Sequence, residues 1–411
     1  MNSSMCFSSS DCGARRKRYG RLRAYRRKRI PMPIHRLTEL LADLIRINSV
    51  NPAYDNSSAE TAIQKFVLSF FVDQGIPVVE QPVEQGRSNV IAKLPGRSAS
   101  GRIVFEAHCD TAGVKGMLIP PFDPQIKGTR MYGRGACDTK AGLAAMMLAI
   151  ADLHKTKELL PSEVWVVSAV DEEHSYRGVW KLRRKLQAAA AVVSEPTNMK
   201  LAIASKGCLR WRVTLKGKAA HSSKPHLGVN AIEHAARVVC CLERENLRLK
   251  NIRHPLLGCP TLSVGLIHGG TQVNIVPDCC WIEVDRRLIP GETPDQVFRQ
   301  YRDLLQSLRS DCPQLELSMD SPQLEDYALE TAVTSKIVLC AAEALKAAGL
   351  DSNPAGVPFG SDASKLAAVG IPSVILGPGS IDEAHTETEF VELEQVEKAF
   401  AVYRNIMRTW K

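Results

Sequence analysis

The sequence predicts an α/β protein: a mainly parallel sheet with helices on both faces, interrupted by an inserted α+β unit. Three observations predict it. Apolar strand-like runs alternate with helical patterns up to about residue 196. Near residue 207 the pattern changes to strands of period two, as half-solvated strands have. After about residue 320 the α/β alternation resumes. The expected division is a basic tail 1–31, a first core part 32–206, an inserted unit 207–319 and a second core part 320–411.

Taken in order, helices are expected over about 33–46 and 58–74. "NVIAKL" (89–94) and "RIVFEAH" (102–108) read as strands. "TKAGLAAMMLAIADLHK" (139–155) reads as a helix. Its apolar stretch, Ala141 to Ile150, is too short to span a bilayer and implies a buried helix. "EVWVVSAV" (163–170) is a strand, 176–188 a helix and "AAVVSEP" (190–196) a strand. In the insert, "CLRWRVTLKGK" (208–218), 261–270, 280–289 and 315–320 read as strands, with helices over 229–245 and 294–309. That order is βαββαβ, the ferredoxin-like arrangement. A helix over 330–348, a strand "PSVILGPG" (372–379) and a helix from about 391 complete the chain.

The composition, 45% apolar and 24% charged, is that of a soluble globular protein. The formal charge of +9 belongs to the tail, where ten Lys or Arg stand against Asp11 alone. The remaining residues hold 43 basic and 43 acidic side chains. A basic tail suits nucleic acid or an anionic membrane, an Arg- and Ser-rich start suits a transit peptide, and translation from Met32 would remove it. In each case 1–31 is expected to be disordered. The neutral body argues against nucleic acid as a partner, and no apolar stretch long enough to span a bilayer points to a membrane. Twelve cysteines without a Cys-x-x-Cys, two adjacent pairs among them, read as reduced thiols of a cytoplasmic protein.

In open α/β sheets, ligands bind outside the carboxyl ends of the strands. After "RIVFEA" come His108 and Asp110. After "EVWVVSAV" come Asp171, Glu172 and Glu173, and after "AVVS" comes Glu195. Asp138 enters the apolar helix, and His385 lies beyond the last strand. Each alone has an ordinary structural explanation, as a helix cap, a turn acid or a core histidine. Together they crowd acids at one edge with no matching Lys or Arg cluster in these segments. A metal site supplies the counter-charge, and a nitrogen–oxygen donor set suits zinc, with cobalt or manganese less often. Asp110 is spaced to accept the second N–H of a ligating His108.

"EAHCDT", "MYGRGACDTKAGLAAMM", "VDEEHSYRG", "SEPTN" and "EAHTETE" resemble, in order and spacing, the co-catalytic zinc amidohydrolases and metallopeptidases. That family includes acetylornithine deacetylase, succinyl-diaminopimelate desuccinylase and glutamate carboxypeptidase. The resemblance runs from about Met32 to the C-terminus. It implies two divalent metals, one on His108 and Glu195, one on Glu173 and His385, bridged by Asp138. It implies Asp110 as the orienter of His108 and Glu172 as the general base, acting on a hydroxide shared by the metals. It leaves Asp171 as a solvated neighbour. The insert is then a lid that also dimerises, with His221 of "GKAAHSSKPHLGVNAI" as the oxyanion donor, supplied across a homodimer. Asn274 and Arg287 match positions that grip the substrate carboxylate. Strand alternation puts only one of Arg286 and Arg287 on the site face, and the motif register selects Arg287. Gly360 and Ser361 of "FGSDAS" offer further donors, against a plain helix start.

The function implied is hydrolysis of the amide bond of an N-acyl amino acid, closest to acetylornithine deacetylase, in arginine biosynthesis. Ser205 stands before Lys206 and Gly207 where that branch often has His. Desuccinylation and cleavage of a dipeptide therefore stand as alternatives, and a non-catalytic binding protein on the same fold as a remote one.

Overall fold

The computed structural model describes residues 32–55 and 60–411. The tail 1–31, and the expectation of its disorder, lie outside the described residues, as does the start of the helix expected from residue 58.

Among the described residues, nine strands form the larger sheet. At its centre Gly96–His108 lies between Leu160–Ala169 and Ala190–Val193, parallel to both, and Ser373–Ile375 continues the parallel run. The flanks are antiparallel: Val78–Glu84 on Arg87–Leu94, Arg87–Leu94 on Leu160–Ala169, and Leu329–Glu330 on Leu201–Ser205. The sheet is thus mainly parallel where the site lies and mixed at its edges. Side chains of the central strands alternate between two cores, as the pleat requires. Ile103, Phe105 and Ala107 enter one core, with Leu41, Phe71, Met146, Ala341 and Ile406 from five helices. Val104, Val167 and Val193 enter the other, beneath Val179, Leu182 and Leu366 from the short helices Arg177–Arg183 and Asp362–Ala367.

The helix Lys140–Thr156 is buried along nearly its whole length. Small residues make this possible. A Cβ at Gly142 would stand 1.7 Å from Ser194 Oγ, so only glycine lets the helix approach the end of Ala190–Val193 so closely. The helix therefore enters at the strand ends, with Asp138 just ahead of it.

A second, wholly antiparallel sheet orders Thr261–Gly269, Cys279–Leu288, Gly207–Lys216 and Glu316–Met319, with Leu324–Asp326 also on Gly207–Lys216. The helices Ala231–Leu249 and Pro294–Ser307 cover one face. Each begins where the sequence caps it: Asn230 accepts from the backbone of Ile232 and Glu233, and Thr293 accepts from Gln296 ahead of Pro294. Trp211, Val213, Leu215, Val238 and Tyr301 fill this separate core, while Arg210 and Arg212 alternate onto the opposite face.

A small third sheet pairs Phe390–Glu392 with Arg130–Tyr132 and the latter with Gln125–Lys127. It ties the segment after His385 to the segment before Asp138.

Some elements differ from expectation. The strand expected over 372–379 ends at Ile375, because Gly377, Pro378 and Gly379 turn the chain. The helix expected from 330 starts at Lys336, since Leu329–Glu330 joins the sheet edge.

Candidate active site

The carboxyl ends of three adjacent parallel strands, Gly96–His108, Leu160–Ala169 and Ala190–Val193, deliver His108, the 171–173 turn and Glu195 to one place. Two groups of possible metal ligands form there: His108 with Glu172 and Glu195, and Asp138 with Glu173 and His385. Asp138 faces both imidazoles, with Oδ1 3.0 Å from His108 Nε2 and Oδ2 3.4 Å from His385 Nε2. His385 Nε2 is also 3.0 Å from Glu173 Oε2. Glu172 stands 3.9 Å from His108 Nε2, inside the same first group.

The charges do not balance within the cluster. His108 Nδ1 faces the backbone carbonyl of Asp110 at 2.9 Å, so it carries the hydrogen. In the neutral ring Nε2 is then a bare acceptor pointing at the Asp138 carboxylate. Glu195 Oε1 is buried without a hydrogen-bond partner among the described residues. Burial pushes the Glu172 and Glu195 carboxyls well above their ordinary range, and neighbouring carboxylates push further. Asp138 resists burial: its bonds to His108 and His385 hold it far below. His385 in turn is raised to about 11 by Asp138 and Glu173. Without metal, the cluster must take up protons. A nitrogen–oxygen donor set with bare acceptors aimed at one another fits a pair of divalent cations.

Behind the cluster lies a second layer. Asp110 Oδ1 accepts from the Glu172 backbone N–H at 3.2 Å and Oδ2 from that of Glu173 at 3.1 Å. Asn51 Nδ2 donates to Asp110 Oδ2 at 2.8 Å and to Asp171 Oδ1 at 3.0 Å. The reading of Asp171 as a solvated neighbour is corrected: it is 1% exposed and pairs with Arg87 Nη2 at 2.9 Å. Burial opposes the charge of Arg87, but Glu60, which it grips through two nitrogens, and Asp171 outweigh that and raise its pKa. The counter-charge for the first of the three acids is therefore an arginine 84 residues upstream. On the other side, the buried Glu389 carboxylate accepts from the backbone of Gly135, Cys137 and Asp138 at 2.8 to 3.1 Å and from Arg134 Nη1 at 2.7 Å. It fixes the loop that carries Asp138, four residues beyond His385 in sequence. No local pattern in the sequence points to Asn51 or Arg87, and only the nearness of Glu389 to His385 in "HTETE" hints at Glu389.

A cleft of about 480 Å³ opens over the cluster and reaches the antiparallel sheet. Arg287 lines it, as do Arg210, Tyr54, Tyr176 and Phe359. Asp285 holds both guanidiniums, at 2.7 Å from Arg210 Nε and 2.9 Å from Arg287 Nε. Arg286 lies on the other face, 1% exposed, bonded to Glu292 and Tyr301. Gly360 lines the cleft, and a Cβ there would stand 1.9 Å from Asp326 Oδ2. Ser361 is buried and caps the helix Asp362–Ala367 by accepting from Ala363 N. His221 and Asn274 are neighbours, since Ser222 N donates to the Asn274 carbonyl, but neither lines this cleft. His221 is exposed, its Nδ1 2.8 Å from Ser223 Oγ.

Among the described residues the cysteines are all free, and no helix is long and apolar enough to cross a membrane.

Known proteins share this architecture. An acetylornithine deacetylase of Myxococcus xanthus is 31% identical over 379 residues, 89% of this chain and 94% of the relative. One of Vibrio atlanticus is 28% identical, covering 89% and 95%. The fold matches a tripeptidase of Staphylococcus aureus with a TM-score of 0.76 at 23% identity, over 91% and 98% of the two chains. It also matches a dinuclear metal binding peptidase of Bacillus subtilis with a TM-score of 0.70 at 17% identity, over 91% and 97%. Residues 104–409, which carry His108, Asp138, Glu173, Glu195 and His385, match the model of Peptidase family M20/M25/M40. The chain belongs to that family and is a metal-dependent hydrolase.

Proposed function

We propose that the protein hydrolyses the amide bond of an N-acyl amino acid, as an acetylornithine deacetylase does, with two zinc ions that cobalt can replace. The observation that carries this reading is the bridging position of Asp138 between two ligand groups, beneath a cleft lined by arginines. The names of the two relatives support the choice of acyl ornithine.

His108 and Glu195 would hold one ion, Glu173 and His385 the other, and Asp138 both. When bound, such a pair supplies Lewis acidity at the amide carbonyl and lowers the pKa of a water. Glu172 removes the proton from the attacking water and returns it to the leaving amine. Its burial suits this task, because it raises the affinity of the carboxylate for a proton. Asp110 keeps the hydrogen of His108 on Nδ1 and so keeps Nε2 bare. Arg287 receives the substrate carboxylate through its free guanidinium edge. Gly360 leaves its part of the cleft wall without a side chain, and the buried Ser361 caps the helix that follows it.

His221 stands outside the cleft of its own subunit. We assign it to the cleft of a second copy, with Asn274 beside it, as donor to the tetrahedral oxyanion. The strand Thr261–Gly269 is at the sheet edge and exposes Leu266 and Ile267 at 49% and 53%, which suits pairing with a second copy. In this reading 207–319 is the lid and dimerisation unit, and 32–206 with 320–411 the catalytic unit. The free thiols suit a reducing, cytoplasmic setting.

The test is amine release by the zinc- or cobalt-loaded protein from N-acetylornithine, N-succinyl-diaminopimelate, other N-acyl amino acids and dipeptides. A clear preference for N-acetylornithine supports the full reading. Preference for the succinyl compound or a dipeptide keeps the mechanism and replaces the substrate. A protein that binds two metals and hydrolyses none of them is a binding protein on this fold.

A further inference from the structure

We propose that Asn51 is a positioning residue for this reaction: its side-chain amide sets Asp110 and the 171–173 turn, and through them His108, Glu172 and Glu173. The inference rests on the reading of the cluster as a two-metal hydrolytic site.

Asn51 follows the first helix, Met32–Arg46, in a loop that lies beside the strand end carrying His108. Two backbone bonds dock the loop there, Asn51 N to the Thr111 carbonyl at 2.9 Å and Thr111 N to the Ser49 carbonyl at 3.0 Å. The side chain is 1% exposed. Its Oδ1 accepts from Ala53 N at 3.0 Å, which fixes the orientation of the amide. Nδ2 must then face inward, and both of its hydrogens are used, one on Asp110 and one on Asp171.

Three bonds tie Asp110 to the site. Its backbone carbonyl accepts from His108 Nδ1, and its two carboxylate oxygens accept from the backbone of Glu172 and Glu173. Asp171 starts the turn in a left-handed conformation, φ 68°, which its own contacts must hold. Asn51 is the group that joins these two carboxylates. A lysine or arginine in its place would add a second cation beside the one that Asp171 already meets in Arg87, and would weaken the negative potential of Asp110. A neutral amide fixes both and adds no positive charge beside Asp110. Arg87 bonds the same Asp171 oxygen at 2.9 Å but shares its charge with Glu60, and among the bonds of Asp110 none is to Arg87.

The experiment compares Asn51→Asp, Asn51→Leu and Asp171→Asn in the full chain. The readouts are cobalt affinity by chelator competition, the absorption spectrum of the cobalt-loaded protein, kcat, KM, and the melting temperature of the metal-free protein. Loss of such outer contacts commonly costs about 10–100-fold in metal affinity or activity. Both Asn51 variants are expected to lose about that much in cobalt affinity and kcat, with an altered cobalt spectrum and KM within about threefold. Asp171→Asn keeps an oxygen for Asn51 and is expected to change each far less. Should Asn51→Asp fail to fold, Asn51→Leu, which adds no charge, is read in the same way; should both fail, Asn51→Ser is. Asn51 variants with the wild-type spectrum, cobalt affinity and kcat but a lower melting temperature would overturn the positioning role. A wild-type protein that binds two cobalt ions and hydrolyses no N-acyl compound would sink the proposed reaction alone, leaving the spectrum and affinity to judge Asn51.

Discussion

The two sides of the cleft hold their charges differently. On the core side His108, Asp138 and Glu195 are buried, and a layer of Asp110, Asn51 and Glu389 fixes His108, the 171–173 turn and the loop of Asp138. On the side of the antiparallel sheet, Arg210 and Arg287 keep side-chain exposures of 48% and 30%, share one carboxylate, and His221 stands in solvent. Burying a charge is expensive unless its partners are fixed. The core side is therefore stiff and suited to bond breaking. The exposed side holds its charges at little cost and in weak pairs, which leaves it free to adapt to a substrate.

Perturbations should accordingly shrink in effect from the core outwards. Removing metal with a chelator should abolish turnover, and zinc or cobalt should restore it; activity that survives prolonged chelation would end the two-metal reading. Glu172→Gln should lower kcat by about 10²–10⁴-fold, the usual scale for a general base, with two metals still bound. Unchanged turnover would remove Glu172 from the chemistry. His221→Ala should lower kcat by about 10²-fold with metal content intact, as loss of an oxyanion donor does. Mixing it with an inactive Glu172→Gln chain should regain part of the activity if the histidine crosses between subunits; no regain argues for a site complete in one chain. Arg287→Ala should act mainly on KM, by about 10-fold, the scale of one hydrogen bond to a charged group. A fall in kcat at constant KM would place Arg287 in the transition state instead.

The smallest effect concerns pH. Burial opposes ionisation of Asp285, but Arg210 and Arg287 hold its pKa below the ordinary value. Its contribution to stability is therefore present above the unfolded carboxyl pKa of about 3.9 and is lost as pH falls through the lower folded value. The stability gap between wild type and Asp285→Asn should close on acidification, as read by denaturant melts at several pH values. A gap that widens in acid would reverse the assignment.

The fold class was legible because its signals are local. The run of apolar residues in 163–170 and the period-two pattern of 208–218 need only their own neighbours. The short strands Gln125–Lys127, Leu324–Asp326 and Pro354–Val357 were not legible, since they are too brief to show a period. The acids and imidazoles that gather over the sheet could be listed from the sequence, because strand ends in a parallel sheet point one way. Their supports could not. Asn51 meets Asp110 across 59 positions, Arg87 meets Asp171 across 84, and Glu389 meets Asp138 across 251. No periodicity connects residues so far apart, and Asp171 looked solvated because its partner stands far upstream.

The bond between Glu389 and the loop of Asp138 has a consequence for the order of events at synthesis. A ribosome makes the chain from its amino end, and early segments can begin to fold before later ones exist. Residues 104–388 alone contain His108, Asp138, Glu173, Glu195 and His385, yet lack the carboxylate that accepts from Gly135, Cys137 and Asp138. The strand Phe390–Glu392, which pins the adjoining segment, comes later still. The loop that carries Asp138 can reach its final shape only after Glu389 has been made, 251 residues later. A product that stops short of Glu389 would carry the candidate ligands without the bonds that arrange the loop of Asp138.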